Sequence, residues 1–312
     1  MIKVSMNPKI SVIVPCKNSE KTIQKTFDSL RNQKYSNLEC IVVDGFSKDS
    51  TMNIVNNNLD VITKVISEED KSAAEAQNKG IKLATGELIS YLHSDDYYED
   101  NMLSEISKAF LNNQNIKIFS FGMEIENLID KKVKLSSYKK KNLELKLNNI
   151  LFKHPLGHFY HKSIFEDFGY NKTFSQNGDD FYANDKEFLI RLCLKGVKNV
   201  VIEKVLYRMR SHENSNTLSR KNIESIRYQH IEIADYYINL YKEHIYKHSK
   251  LIEFKVHNLA LLFVYYVLTL RTNKMIKIFN EGFQRRGLMF FFDIFSCPIR
   301  ELIYRGSVKK WF

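Results

Sequence analysis

Four apolar, β-prone runs lie between residues 9 and 92, and each gives way to a polar turn before an amphipathic helix begins. Runs at 9–14, 38–43, 61–66 and 88–92 read as strands, and 20–32, 49–57 and 72–84 read as the helices between them. The first helix shows the period plainly, with Ile23, Phe27 and Leu30 spaced four and three apart. Strand alternating with helix argues for an α/β fold with a mostly parallel central sheet and helices on both faces. In open sheets of this kind ligands bind beyond the carboxyl ends of the strands, so the strand tips carry the functional information.

The fourth tip is the most explicit. The run Leu88 to Leu92 ends in His93-Ser94-Asp95-Asp96. Adjacent carboxylates repel unless a proton or cation lies between them, which points to a hard divalent metal holding a phosphorylated ligand. The alternative is an acidic loop in which Asp95 or Asp96 caps the following helix. At the first tip, Val14-Pro15-Cys16-Lys17-Asn18 has no glycine, and none precedes Gly45. A dinucleotide-binding Gly-x-Gly-x-x-Gly is therefore missing, which argues against NAD or FAD. The second tip, Asp44-Gly45-Phe46-Ser47-Lys48-Asp49, offers a carboxylate to a nucleobase or ribose, or else forms a plain turn before a helix capped by Asp49. Beyond the third strand, Lys71 lies at a helix start, where a cation and free N–H groups favour a diphosphate. Lys79-Gly80 has a structural role on that helix.

These four segments, in this order, resemble the family 2 glycosyltransferases of the GT-A (Rossmann-like) fold, and the likeness covers roughly residues 9–215. It implies an inverting transferase that moves a sugar from a nucleoside-diphosphate-sugar donor, a UDP-hexose or UDP-N-acetylhexosamine, to a saccharide or polyprenyl-diphosphate-linked acceptor in bacterial surface polysaccharide synthesis. Pro15, Lys17, Asn18 and Asp44 would line the base and ribose pocket. Lys71 would lie toward the diphosphate and Asp95 toward the ribose or sugar, while Asp96 would bind Mn2+ or Mg2+. Many relatives carry Asp-Asp where this chain has Asp44-Gly45, so base contact rests on Asp44 alone. Glu75 stands where the nearest subgroup has Asp and is left out of the site.

Asp185 matches the family's general base at a helix start, with Asp179 and Asp180 as competitors and a helix N-cap as the structural alternative. Glu187 falls half a turn away. His154 or His158 matches a histidine before the strand toward the acceptor, and His212 one in a late loop closing over the diphosphate or its metal. A sugar nucleotidyltransferase and a non-catalytic nucleotide-binding relative are the alternative functions. The first would show a Gly-rich basic loop after Val14, and the second is opposed by the set of Asp44, Asp96 and Asp185.

After Asp100 the alternation loosens. A helix at 102–111, a strand at 116–122, a strand and helix within 159–168 and a helix at 186–194 are expected, with 130–141 an exposed Lys-rich loop. From 220 to 312 the pattern is helical, so the chain divides into a catalytic unit (1–219) and a basic, amphipathic C-terminal α-helical region (220–312). Residues 221–312 hold 15 Lys/Arg against 8 Asp/Glu, or +7 of the formal +11. These cations are mixed with long apolar runs (259–270, 288–292), which suits an anionic membrane surface better than nucleic acid, or else a face packed on the catalytic unit. The run 259–270 is short of the roughly 20 residues that span a bilayer. No signal peptide pattern opens the sequence, and the four scattered cysteines fit a reducing cytoplasm, so the expected location is cytoplasmic, peripheral on the inner face of the membrane.

Overall fold

The computed structural model describes residues 7–128, 133–137, 140–152, 157–170, 183–212 and 222–305. The first elements are β1 (Ile10–Cys16), α1 (Ile23–Asn32), β2 (Leu38–Asp44), α2 (Thr51–Asn56), β3 (Lys64–Ser67), α3 (Ala73–Leu83) and β4 (Leu88–Tyr91). Next come β5 (Tyr97–Tyr98), α4 (Met102–Asn112), β6 (Ile118–Asn127), β7 (Val133–Ser137), α5 (Lys140–Leu143) and α6 (Leu147–Phe152). They are followed by β8 (His158–His161), α7 (Ser163–Phe168), α8 (Asn184–Leu194) and β9 (Val200–Ser211). Four helices complete the described chain: α9 (Ile223–Leu240), α10 (Ile245–Leu268), α11 (Thr272–Arg286) and α12 (Met289–Arg305).

One mixed sheet orders the strands β3-β2-β1-β4-β8-β6-β9-β5, with β7 paired to β6. Its first four strands are parallel and form the expected α/β half. The register sets Cys16 opposite Asp44 and Asp44 opposite Ser67, so three polarisable groups stand at one level on the carboxyl edge. Alternate residues of β1 and β2 enter opposite layers. Ile13, Ile41 and Val43 pack with Phe188, Ile233 and Phe254, while Val12, Val14 and Val42 pack with Phe27, Met102 and Ile106.

Three expectations shift. The third strand begins later than 61–66, at Lys64, because residues 58–63 turn back on Asn58 before pairing starts. Residues 133–137, expected in an exposed loop, form β7 antiparallel to β6. The lysines obscured an alternation, Val133 and Leu135 against Lys134 and Ser136, that fits a strand once a partner edge exists. The apolar helix of the tail, α10, runs 24 residues and is long and apolar enough to cross a membrane, yet 56% of its apolar window is buried in the protein. Its first half and α9 complete the layer under the sheet, where Tyr237 of α9 donates to the buried Glu187 of α8 at 2.5 Å. Its second half forms a separate cluster with α11 and α12.

Gly80 brings α3 onto β1. A Cβ added there would lie 2.3 Å from Ile13 Cγ2. Gly80→Ala should therefore destabilise the fold by about 1–3 kcal/mol, the range for overpacking a tight interior, measured as a lower urea midpoint. At the opposite, amino edge of the sheet, Glu39 (1% exposed) accepts from Ser11 at 2.5 Å, Thr85 N at 2.8 Å and Lys64 at 3.0 Å. Burial pushes its carboxyl upward, but these donors outweigh it and hold the pKa down at about 2, against an ordinary 4.5. A depressed carboxyl stabilises the fold above the unfolded value and loses that contribution as pH falls toward the folded one. The contribution is on the order of 3 kcal/mol. Glu39→Gln should flatten the acid limb of stability against pH between about 4.5 and 2, read by circular dichroism.

Candidate active site

The strand tips carry loops that clasp one another. Asn18, in a left-handed conformation (φ 50), donates its N–H to Ser47 Oγ at 2.8 Å and accepts from Lys48 N at 2.8 Å. This ties the β1–α1 loop to the β2–α2 loop. Ser19 extends the clasp to the fourth tip through Ser94, 2.8 Å between hydroxyls. Pro15 is buried within β1, whereas the side chains of Lys17, Asn18 and Lys71 are exposed on this edge. Lys71 donates its N–H to Glu75 at 2.9 Å while Ser72 caps α3 through Glu75 N, so Glu75 fixes the helix start that presents Lys71.

Asp44 is fully buried. Its carboxylate accepts from the Ser47 N–H at 3.1 Å, the Ser47 hydroxyl and the Ser67 hydroxyl at 2.6 Å. These bonds shape the turn below the exposed, left-handed Phe46 (φ 61). The expected base contact would therefore have to come through the loop that Asp44 organises.

The two carboxylates of the fourth tip occupy different environments. Asp96 is 3% exposed, and both its oxygens are taken: Tyr207 donates at 2.6 Å and Arg210 N at 2.8 Å. Burial, and after it the charge of Asp95, raise its carboxyl well above the ordinary range. Asp95 keeps 30% of its side chain exposed and lies 3.2 Å from His212 Nε2. Burial pushes its pKa up, but the His212 hydrogen bond and the charges of His93 and His212 outweigh this and hold it low. The outward carboxylate beside an imidazole is thus Asp95, while Asp96, expected as the metal ligand, faces inward and anchors β4's tip to β9.

Nothing local to Asp96 in the sequence announces that anchor. Arg210 also bonds the Asp95 carbonyl through Nε and the Thr22 carbonyl at 2.9 Å, so β9 clamps the first and fourth tips together. The signal was the alternation Tyr207-Arg208-Met209-Arg210, which reads as a strand once its charged residues are allowed to pair. Arg208 does pair, with Glu99 and Glu124.

Asp185 is exposed in the first turn of α8. The preceding Asn184 donates to Gln77 of α3 at 2.7 Å, which holds the start of α8 beside the helix leaving β3. After burial and Tyr91, the charge of Asp185 is the next influence raising the Tyr160 hydroxyl, and Tyr91 is the last residue of β4. The Asn184–Gln77 hydrogen bond sets the first turn of α8, with Asp185, beside the first half of α3, the helix that follows the third strand tip. Glu187 is fully buried against Arg191 (2.9 Å) and Tyr237, in a structural role. His158 is buried in β8, 2.8 Å from Ser120. His154, Asp179 and Asp180 lie outside the described residues.

Among the described residues no three His, Cys, Asp or Glu side chains converge as a preformed metal centre. Asp95 and His212 offer one carboxylate and one imidazole, a donor set suited to a cation that completes its shell with water and substrate phosphates.

Residues 11–169 match the family described as glycosyl transferase family 2. A Campylobacter jejuni protein named GalNAc(5)-diNAcBac-PP-undecaprenol beta-1,3-glucosyltransferase is 27% identical over 73% of this chain and 73% of its own. The matched stretch covers only 36% and 44% of two other bacterial glycosyltransferases, from Bacillus subtilis and Haemophilus influenzae. Among solved structures, S. aureus TarS 1-349 in complex with UDP-GlcNAc superposes with a TM-score of 0.64 at 19% identity, over 97% of this chain and 89% of that one. The mannosyltransferase PcManGT from Pyrobaculum calidifontis, in complex with GDP-Man and Mn2+, gives 0.58 at 16% identity, over 95% and 87%. At these identities the structural likeness establishes the GT-A-type fold.

Proposed function

This chain belongs to glycosyl transferase family 2, and from that premise we propose that it transfers a sugar from a nucleoside-diphosphate-sugar to a hydroxyl of a saccharide or polyprenyl-diphosphate-linked acceptor. The observation that supports the reading is the carboxyl edge of the parallel strands, which bears Asp95 beside His212 and the exposed Lys71, with the start of α8 tied to α3 through Asn184 and Gln77. The UDP-GlcNAc complex of TarS and the undecaprenol-linked substrate in the Campylobacter relative's name support a UDP-sugar donor and a lipid-linked acceptor.

Lys71 would attract the diphosphate, and the clasped loops that carry Lys17, Asn18 and Ser47 would receive the nucleoside. Asp95 and His212 would hold Mn2+ or Mg2+, which supplies positive charge to the departing diphosphate. Asp185 would take the proton from the acceptor hydroxyl as that oxygen bonds to C1 and the bond from C1 to the phosphate oxygen breaks. One base opposite the leaving group gives inversion. We place the enzyme at the cytoplasmic face of the membrane, where such an acceptor is presented, and assign 1–219 as the catalytic unit.

The test is turnover of a panel of UDP- and GDP-sugars with Mn2+, followed by NMR of the product's anomeric centre. Metal-dependent turnover of a UDP-sugar with inversion is expected. No turnover of any donor, or retention at C1, would overturn the reading.

A further inference from the structure

Helix α12 is apolar on two opposite faces. Phe290, Ile294 and Cys297 point inward, buried with Tyr266 of α10 and Ile278 of α11. On the other side Leu288, Phe292 and Phe295 are 72%, 67% and 71% exposed. Scattered exposed apolar residues are ordinary, but three this large within eight positions, beside the half-exposed Met289, form a continuous ridge. A helix start that is apolar on both its packed and its outward face is unlike the usual surface helix, which turns one apolar stripe to the core and polar residues to water.

The charges around this ridge have one sign in excess. Arg285 and Arg286 end α11 immediately before it. Across residues 285–312 the sequence carries six Lys/Arg against two Asp/Glu. Arg286 lies 3.2 Å from Asp293 and Arg285 lies 3.6 Å from Asp235, and both arginines, though paired, keep 37% and 38% of their side chains at the surface. Large apolar groups beside two surface arginines, in a stretch whose sequence is net basic, complement a surface that is anionic outside and hydrocarbon beneath.

We propose that the α11–α12 corner is a membrane-docking surface, with Leu288, Met289, Phe292 and Phe295 entering the acyl boundary and the flanking arginines meeting anionic headgroups. α10 stays within the protein, packed on α9, α11 and α12, so the chain lies on the bilayer through this corner. The inference builds on the lipid-linked acceptor reading for its purpose, but its test needs neither donor nor acceptor.

The full chain is floated with vesicles of phosphatidylcholine alone or with phosphatidylglycerol added. Binding to the anionic vesicles, weakened by salt, is expected. Phe292→Ser with Phe295→Ser should reduce it at least about tenfold with an unchanged far-ultraviolet spectrum and melting temperature. Arg285→Gln with Arg286→Gln should reduce the preference for anionic lipid and spare the fold. No vesicle binding by the wild-type chain, or undiminished binding by the folded serine variant, would overturn the proposal. So would light scattering that shows a wild-type dimer converted to monomer by the serine changes, since the ridge would then be a contact between copies.

Discussion

Asp185→Asn should reduce sugar transfer by about a hundred- to ten-thousand-fold, the span that a positioned general base contributes. The substitution keeps the shape of the side chain and removes its ability to take a proton. Asp185 sits in the first turn of α8, exposed to solvent. Its carboxylate accepts from the N–H of the next residue, Lys186, at 2.7 Å. A helix-capping role alone would make the variant lose about 1 kcal/mol of stability and no rate. Single-turnover kinetics beside a melting curve separate the two. A variant with wild-type transfer and a lowered melting temperature would remove Asp185 from the chemistry.

The second large effect should split the Asp95-Asp96 pair. Asp95→Ala is expected to abolish the Mn2+-dependent part of donor binding in calorimetry and to lower turnover at least about a hundredfold, as chelation of the wild-type protein should. The loss follows from removing the exposed carboxylate beside His212, the kind of group that fixes a catalytic cation. Asp96→Ala should act mainly on the fold. It strips the acceptor from the Tyr207 hydroxyl and from Arg210 N, and each buried donor left alone costs about 1–3 kcal/mol. If Asp96→Ala keeps full stability and loses only its response to Mn2+, while Asp95→Ala keeps that response, the two roles are exchanged.

The fold's parallel half was legible because each of its strands is a short apolar run ended by Pro, Asp or Ser, and each helix shows an apolar stripe. The order of the tip segments was legible for the same reason, since a strand end in sequence is a sheet edge in space. β7 and β9 were not: lysines and arginines make both stretches look like loops when read alone, and the acids that pair with Lys204 and Arg208 of β9 lie on distant segments. The difference between Asp95 and Asp96 could not be read locally either. The groups that bury Asp96 come from positions 111 and 114 residues later. Asp44 shows the same limit: a carboxylate at a strand tip looks available for a ligand until the Ser67 hydroxyl from the neighbouring tip reaches it. The tail was half legible. Its mixture of cations and apolar groups was plain, but which helices complete the sheet's underlayer and which face outward depends on packing that no window of residues encodes.

The clamp from β9 also bears on how the molecule is made. As synthesis proceeds, β1 to β4 emerge within the first hundred residues and can begin to pair, but the inward aspartate at the fourth tip has no donors until Tyr207 and Arg210 leave the ribosome. A nascent or truncated product ending near residue 169 would contain the whole family-defining stretch and still lack the strand that covers and pairs this acid. Such fragments should stay loose and susceptible to proteases, and activity should emerge only when the late strand docks.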